Sequence, residues 1–141
     1  MYIDRGLLMS EAQALTATAL STSKPGLDTA RDIGKSMDIW LVLIVTTTFT
    51  SAGATTLDID LVTDDTVGMA SPVVLQKLVG APIPKASLVQ GFKRVVKLDP
   101  GAYETFIGLN YTVATGPFTA GNITAFITNA PEDWRAYNDP I

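Results

Sequence analysis

The sequence predicts an all-β antiparallel sandwich of about eight strands. Short apolar runs with a period of two recur along it, threonines are interleaved through those runs, and Gly/Pro turn signals separate them at frequent intervals. No segment shows a sustained helical period. With 141 residues the chain suits one domain, spanning 1–141, with a sizeable core.

From Ser10 to Leu20 the chain is rich in alanine and leucine, but Thr16, Thr18 and Thr22 fall at alternate positions. β-branched residues so spaced favour an extended run over a helix. Lys24-Pro25-Gly26 marks a loop. Ile39 to Val45 is apolar on both faces, the pattern of a strand covered from both sides, and Trp40 within it is expected in the core. After the Ser51-Ala52-Gly53 turn, Leu57-Asp58-Ile59-Asp60-Leu61 alternates aliphatic with acidic residues. Leu57, Ile59 and Leu61 should therefore face inward, and Asp58 and Asp60 outward to water or a partner. Thr63-Asp64-Asp65 is expected to turn or cap the chain.

Val73 to Val79 reads as a further strand behind Ser71-Pro72. Ala81-Pro82-Ile83-Pro84 has two residues without an N–H donor, so it should be a crossover or an irregular edge. Phe92 to Leu98 is a short strand closed by the Asp99-Pro100-Gly101 turn. Tyr103 to Val113 alternates again, with Tyr103, Thr105, Ile107, Leu109, Tyr111 and Val113 on one face. Gly116-Pro117 then leads into Asn122 to Thr128, where Ile123, Ala125 and Ile127 share a face. Gly53, Gly116 and Gly121 should supply backbone freedom at turns.

Composition narrows the function. Hydrophobic residues make up 47% and charged residues 17%, too apolar for a disordered acidic chain. The net charge of −4 disfavours nucleic acid, and the tightest basic group, Lys93, Arg94 and Lys97, lies in a strand-like run. With no cysteine and no histidine, the commonest thiol nucleophiles, general bases and transition-metal ligands are missing. Asp58, Asp60, Asp64 and Asp65 are the densest carboxylates, but they lack the spacing of a calcium loop, and Glu104 and Glu132 stand apart. No enzyme activity, metal or cofactor is therefore expected. Asp4, Arg5 and Glu11 interrupt the N-terminus, so no secretory signal is expected, and the apolar run from Ile39 is too short to span a bilayer.

Several blocks carry a family likeness in their order. They are Met1-Tyr2-Ile3-Asp4-Arg5 with Ser10-Glu11-Ala12-Gln13-Ala14-Leu15-Thr16; Ala30-Arg31-Asp32-Ile33-Gly34; Phe49-Thr50-Ser51-Ala52-Gly53-Ala54-Thr55-Thr56-Leu57; and Thr63-Asp64-Asp65. Ala86-Ser87-Leu88-Val89-Gln90-Gly91, Leu109-Asn110-Tyr111-Thr112-Val113 and Phe118-Thr119-Ala120-Gly121-Asn122-Ile123-Thr124-Ala125 follow. Across residues 1–128 the set resembles the capsid cement (decoration) proteins of tailed bacteriophages. The resemblance implies a jelly roll on the outer capsid surface of a virion, synthesised in the host cytoplasm. Its implied partners are the major capsid protein and further copies of itself, with a dimer favoured and a trimer possible.

The ends are expected to form arms, 1–9 and 130–141. Tyr2, Ile3, Arg5, Trp134 and Tyr137 are the candidate interface residues, since isolated apolar groups in polar end segments suit contact with neighbours. An alternative expectation is a jelly-roll receptor- or carbohydrate-binding virion module, with Trp134 and Tyr137 as its aromatic platform.

Overall fold

A computed structural model of the chain describes residues 7–24, 39–98 and 104–128. Among these residues nine strands follow one another: β1 (Leu8–Ala14), β2 (Ala19–Leu20), β3 (Trp40–Thr50), β4 (Thr56–Asp64), β5 (Val73–Lys77), β6 (Ile83–Pro84), β7 (Lys93–Lys97), β8 (Phe106–Ala114) and β9 (Ala120–Thr128). They form two antiparallel sheets, ordered β1-β9-β3-β7 and β2-β8-β4-β5, with β6 paired to the start of β4. Apart from the β4–β5 hairpin and short β6, each strand belongs to the sheet opposite its predecessor. The earliest and latest strands are also neighbours. This is a jelly roll, a sandwich of two interlocked Greek keys.

The alternations place the core as expected. Leu57, Ile59 and Leu61 from β4 meet Ile107, Leu109 and Tyr111 from β8, all buried. Opposite them, Leu41, Leu43, Val45 and Phe49 of β3 pack with Ile123, Ala125 and Ile127 of β9. Val42 and Phe126, paired across β3 and β9, are also buried, yet they point away from this core. β3 is thus apolar on both faces because both are covered.

Some expectations need correction. Ser10 to Leu20 is extended but is not one strand: it breaks after Ala14, and β2 joins the other sheet. The N-terminal arm cannot reach residue 9, because Leu8 already lies in β1 and Met9 is fully buried. Trp40 is only half-buried, because the register sets it on the outer face with Val42. β5 stops at Lys77, although Leu78 and Val79 remain buried, and β8 starts at Phe106. Gly116 does take a left-handed φ of 93°, whereas Gly121 lies inside β9 rather than in a turn. A Cβ on Gly121 would sit 2.4 Å from the Phe49 ring, so close ring contact explains this glycine.

Candidate functional site

A sandwich has four edges, and each exposes strand backbone to pairing with another chain unless something blunts it. Here three are blunted. β1 is irregular, with register shifts beside Ser10 and Ala12 at φ 44°. β2 is only two residues long. β7 carries Lys93, Arg94 and Lys97. β5 differs, because its sequence is Val-Val-Leu-Gln-Lys and, among the described residues, only β4 pairs with it along its length. Val73 and Val74 are 51% and 52% exposed, and Val67 in the preceding loop is 58% exposed. They are three of the four large aliphatic side chains most exposed in the described structure; the fourth, Val89, stands in the loop before β7.

The loop beside this edge is built on Asp64. Its two carboxylate oxygens accept the backbone N–H groups of Thr66 (3.2 Å) and Ser71 (2.9 Å), an anchor of the kind expected of Thr63-Asp64-Asp65. The loop so closed folds Met69, at φ 50°, back over the outer face of the sheet. There Met69 covers Gly108 of β8, where a Cβ would lie 3.0 Å from its sulfur. The Ser71 N–H is the main reason the Asp64 carboxyl lies below its ordinary range. Asp65 moves the other way, raised first by its hydrogen bond to Asp64 and then by that group's charge.

Glu104 joins them from the segment before β8. Its backbone N–H donates to Thr63 Oγ1 (2.8 Å), and the Thr63 hydroxyl donates to the Phe106 carbonyl (2.8 Å). Carboxylate oxygens of Asp64, Asp65 and Glu104 lie within 4.8 Å of one another, with Asp65 and Glu104 exposed. The corner therefore presents a concentrated negative potential beside an apolar edge. Sequence reading placed Glu104 alone, because nothing in the spacing shows that Thr63 holds it there.

At the other end of β5, Lys77 Nζ lies 3.1 Å from Asp58 and 3.4 Å from Asp60. The hydrogen bond to Asp58, with both negative charges, raises the Lys77 pKa. Asp58 and Asp60 point outward as expected, but Asp60 is only 8% exposed and not solvated. The reason is its central place in the sheet, between β8 and β5 and under the Lys77 side chain. Asp64 is likewise buried rather than a solvated strand residue.

The opposite side of the sandwich is closed by polar groups. Ser10 Oγ donates to Gln13 Oε1 (2.8 Å), so the Tyr111 hydroxyl supplies the proton of its 2.8 Å contact with Ser10. Gln13 also accepts from the Thr22 N–H and donates to the Leu20 carbonyl, tying β1 to β2. Burial pushes the Tyr111 phenol well above its ordinary pKa, which keeps it a donor. Two surface clefts are lined by described residues alone. One, about 230 Å³, is lined by Leu8, Met9, Glu11, Thr22 and Ser23; another, about 310 Å³, lies between Thr48–Ser51 and Lys85, Ala86 and Val89. Lys85 Nζ is engaged with the Ser51 carbonyl (2.8 Å).

Tyr2, Ile3, Arg5, Trp134 and Tyr137 all lie outside the described residues, as does the Asp99-Pro100-Gly101 turn. The surface at β5 is thus a candidate that the sequence did not single out. Its signal was Val73-Val74 unaccompanied by any charge until Lys77.

The comparison with known families spans nearly the whole of this sandwich: residues 9–127 match Bbp16, from β1 to the last turn of sheet in β9. The chain belongs to the Bbp16 family. That family is phage-related, which suggests a phage structural protein. No curated protein matches the chain. Among the described residues, no helix is long and apolar enough to cross a membrane.

Proposed function

We propose that the protein is a non-enzymatic virion component that binds the outside of a tailed-phage capsid and cements neighbouring major capsid protein subunits. The observation that carries this reading is the exposed aliphatic patch of Val67, Val73 and Val74 at the β5 edge of a phage-family jelly roll whose other edges are blunted. A patch of this kind is a liability in a free protein and an asset in one that spends its life docked. A chain with neither cysteine nor histidine suits such a mechanical role.

Cementing is a matter of many modest contacts. An interface of ordinary size covers roughly 800 Å² per partner. On a closed lattice a subunit held at two points rebinds at high effective concentration when one contact opens. Self-association, with a dimer favoured and a trimer possible, would provide those two points. The protein would be made in the host cytoplasm and act on the outer capsid surface.

Capsids assembled without the protein test this directly. Added protein should bind at fixed stoichiometry, appear outside the shell in a reconstruction, and raise the temperature at which heads rupture. Absence of binding to such capsids would end the reading.

A further inference from the structure

We propose that copies of this chain associate head to tail, the loop tip at Val67 of one copy seating in the cleft between β3 and the β6–β7 connection of the next. The contact stands apart from the capsid-binding reading, to which Val73 and Val74 on the strand itself are left.

The two features lie at opposite ends of β4. The tip follows Asp64, where β4 ends. The cleft lies beside Thr55, just before β4 begins, since the Lys85 N–H donates to the Thr55 carbonyl (3.1 Å). At about 3.3 Å per residue the two are roughly 30 Å apart. Val67 is the most exposed of the large aliphatic side chains described. A Cβ on the neighbouring Gly68 would meet nothing within 4 Å, so the tip stands clear of its own chain.

The cleft is held in shape by hydrogen bonds that tie its outer wall to the end of β3. Lys85 Nζ donates to the Ser51 carbonyl (2.8 Å), the Phe49 N–H to the Leu88 carbonyl (2.9 Å) and the Gln90 N–H to Thr48 Oγ1 (2.9 Å). Phe49, Ala86 and Val89 make the lining largely apolar, and Val89 is half exposed at its rim. The volume of about 310 Å³ is at the small end of ligand cavities, which suits a single aliphatic side chain.

Charge matches the two ends. Asp65 and Glu104 are exposed beside the tip, and among the described residues no ion pair is made with either. Segments 48–55 and 84–91, which form the cleft end, carry one charged side chain, Lys85, and no carboxylate. Lys85 likewise has no ion pair among the described residues. A tip-to-tip pair would set carboxylates against carboxylates, and a cleft-to-cleft pair would set lysine against lysine. Only tip to cleft brings opposite charges together. Each such contact leaves one tip and one cleft unused, so the association closes as a ring of three or more copies or continues open.

Sedimentation velocity of the full-length chain over a range of concentrations tests the contact, with Val67→Lys for the tip and Val89→Gln for the cleft. Both positions are exposed, so each variant should keep the wild-type Tm. Wild-type mass should rise with concentration, and less so as salt is added. Each variant alone should associate at least about tenfold more weakly. An equimolar mixture should recover wild-type affinity, because one chain keeps its tip and the other its cleft, yet stop at two chains. A wild-type chain that stays monomeric up to about 1 mM, or a variant that associates as the wild type does, would overturn the contact. Failure of the mixture to associate would assign Val67 and Val89 to like-with-like pairing and overturn the head-to-tail order. None of these results depends on capsids, so capsid binding stands or falls by its own titration.

Discussion

The β3–β9 seam and the β4–β5 hairpin are both antiparallel pairs, yet opposite kinds of contact hold them. The seam lies inside its sheet, between β1 and β7, and is fastened by interdigitated aliphatic residues and the edge-to-face pair of Phe49 and Phe118, with ring centroids 4.8 Å apart. The hairpin ends its sheet. Its inner strand contributes to the core and Leu75 packs against it, but its loop is anchored by Asp64 and the end of its outer strand by the Lys77 pairs. Dispersion and burial are nearly indifferent to pH and salt, whereas those polar contacts respond to both. The molecule is thus rigid along its middle and conditional at the edge proposed to receive a partner.

The strongest challenge to that contrast is Ile59→Ala, which strikes the core where the two pairs meet. A cost of about 2–5 kcal/mol is expected from urea unfolding; a loss below about 0.5 kcal/mol would show that this face of β4 is not the core. Gly121→Ala comes next. Its Cβ would overlap the Phe49 ring at 2.4 Å, and the φ of 142° is one that side chains resist. About 1–3 kcal/mol should be lost, with the Phe49–Phe118 pair displaced in the near-ultraviolet circular dichroism.

Tyr111→Phe should cost less, about 0.5–1.5 kcal/mol, because it removes one hydrogen bond and leaves Ser10 still bonded to Gln13. The smallest effect is the pH response of the hairpin loop. Asp64 is depressed, so its contribution is present above the unfolded carboxylate pKa and is lost as pH falls through its folded value. Asp65 is raised, so its contribution is present below the unfolded value and is lost as pH rises through its folded one. Amide protection at Thr66 and Ser71 should therefore peak in mild acid, where the pair shares one proton. Asp65→Asn, which keeps a donor without the charge, should extend that protection to neutral pH. A flat profile in both proteins would detach the loop from these carboxyls.

How much of this was legible follows from which forces are local. The alternation of Leu57, Ile59 and Leu61 reports the inner face of β4 directly, so that part of the core could be read from it, while the two-sided apolarity around Val42 shows only that β3 is covered on both faces. Trp40 could not be placed, because a strand apolar on both faces does not reveal which face meets the core. The burial of Asp60 depends on Lys77, and the position of Glu104 depends on Thr63, 41 residues away. Such polar pairings leave no period in the sequence. The exposure of Val73 and Val74 was hidden for a related reason: they look like core until the sheet order sets β5 last in its sheet among the described residues.

The pairing of β1 with β9 has a consequence for biosynthesis. Ser10 finds the Tyr111 hydroxyl 101 residues further along, and Leu8 pairs with Phe126. On a ribosome, β1 emerges early and must wait, unpaired, until almost all the described chain has been made. Joining strands so distant carries a loop-closure cost that local hairpins avoid, and it places this topology among the slow folders. The decisive step of folding therefore waits for β9, and chains halted before β9 leave both β1 and β3 without their shared partner. Incomplete chains of this kind should be cleared by proteolysis, so the last strand acts as a checkpoint on the completeness of the first.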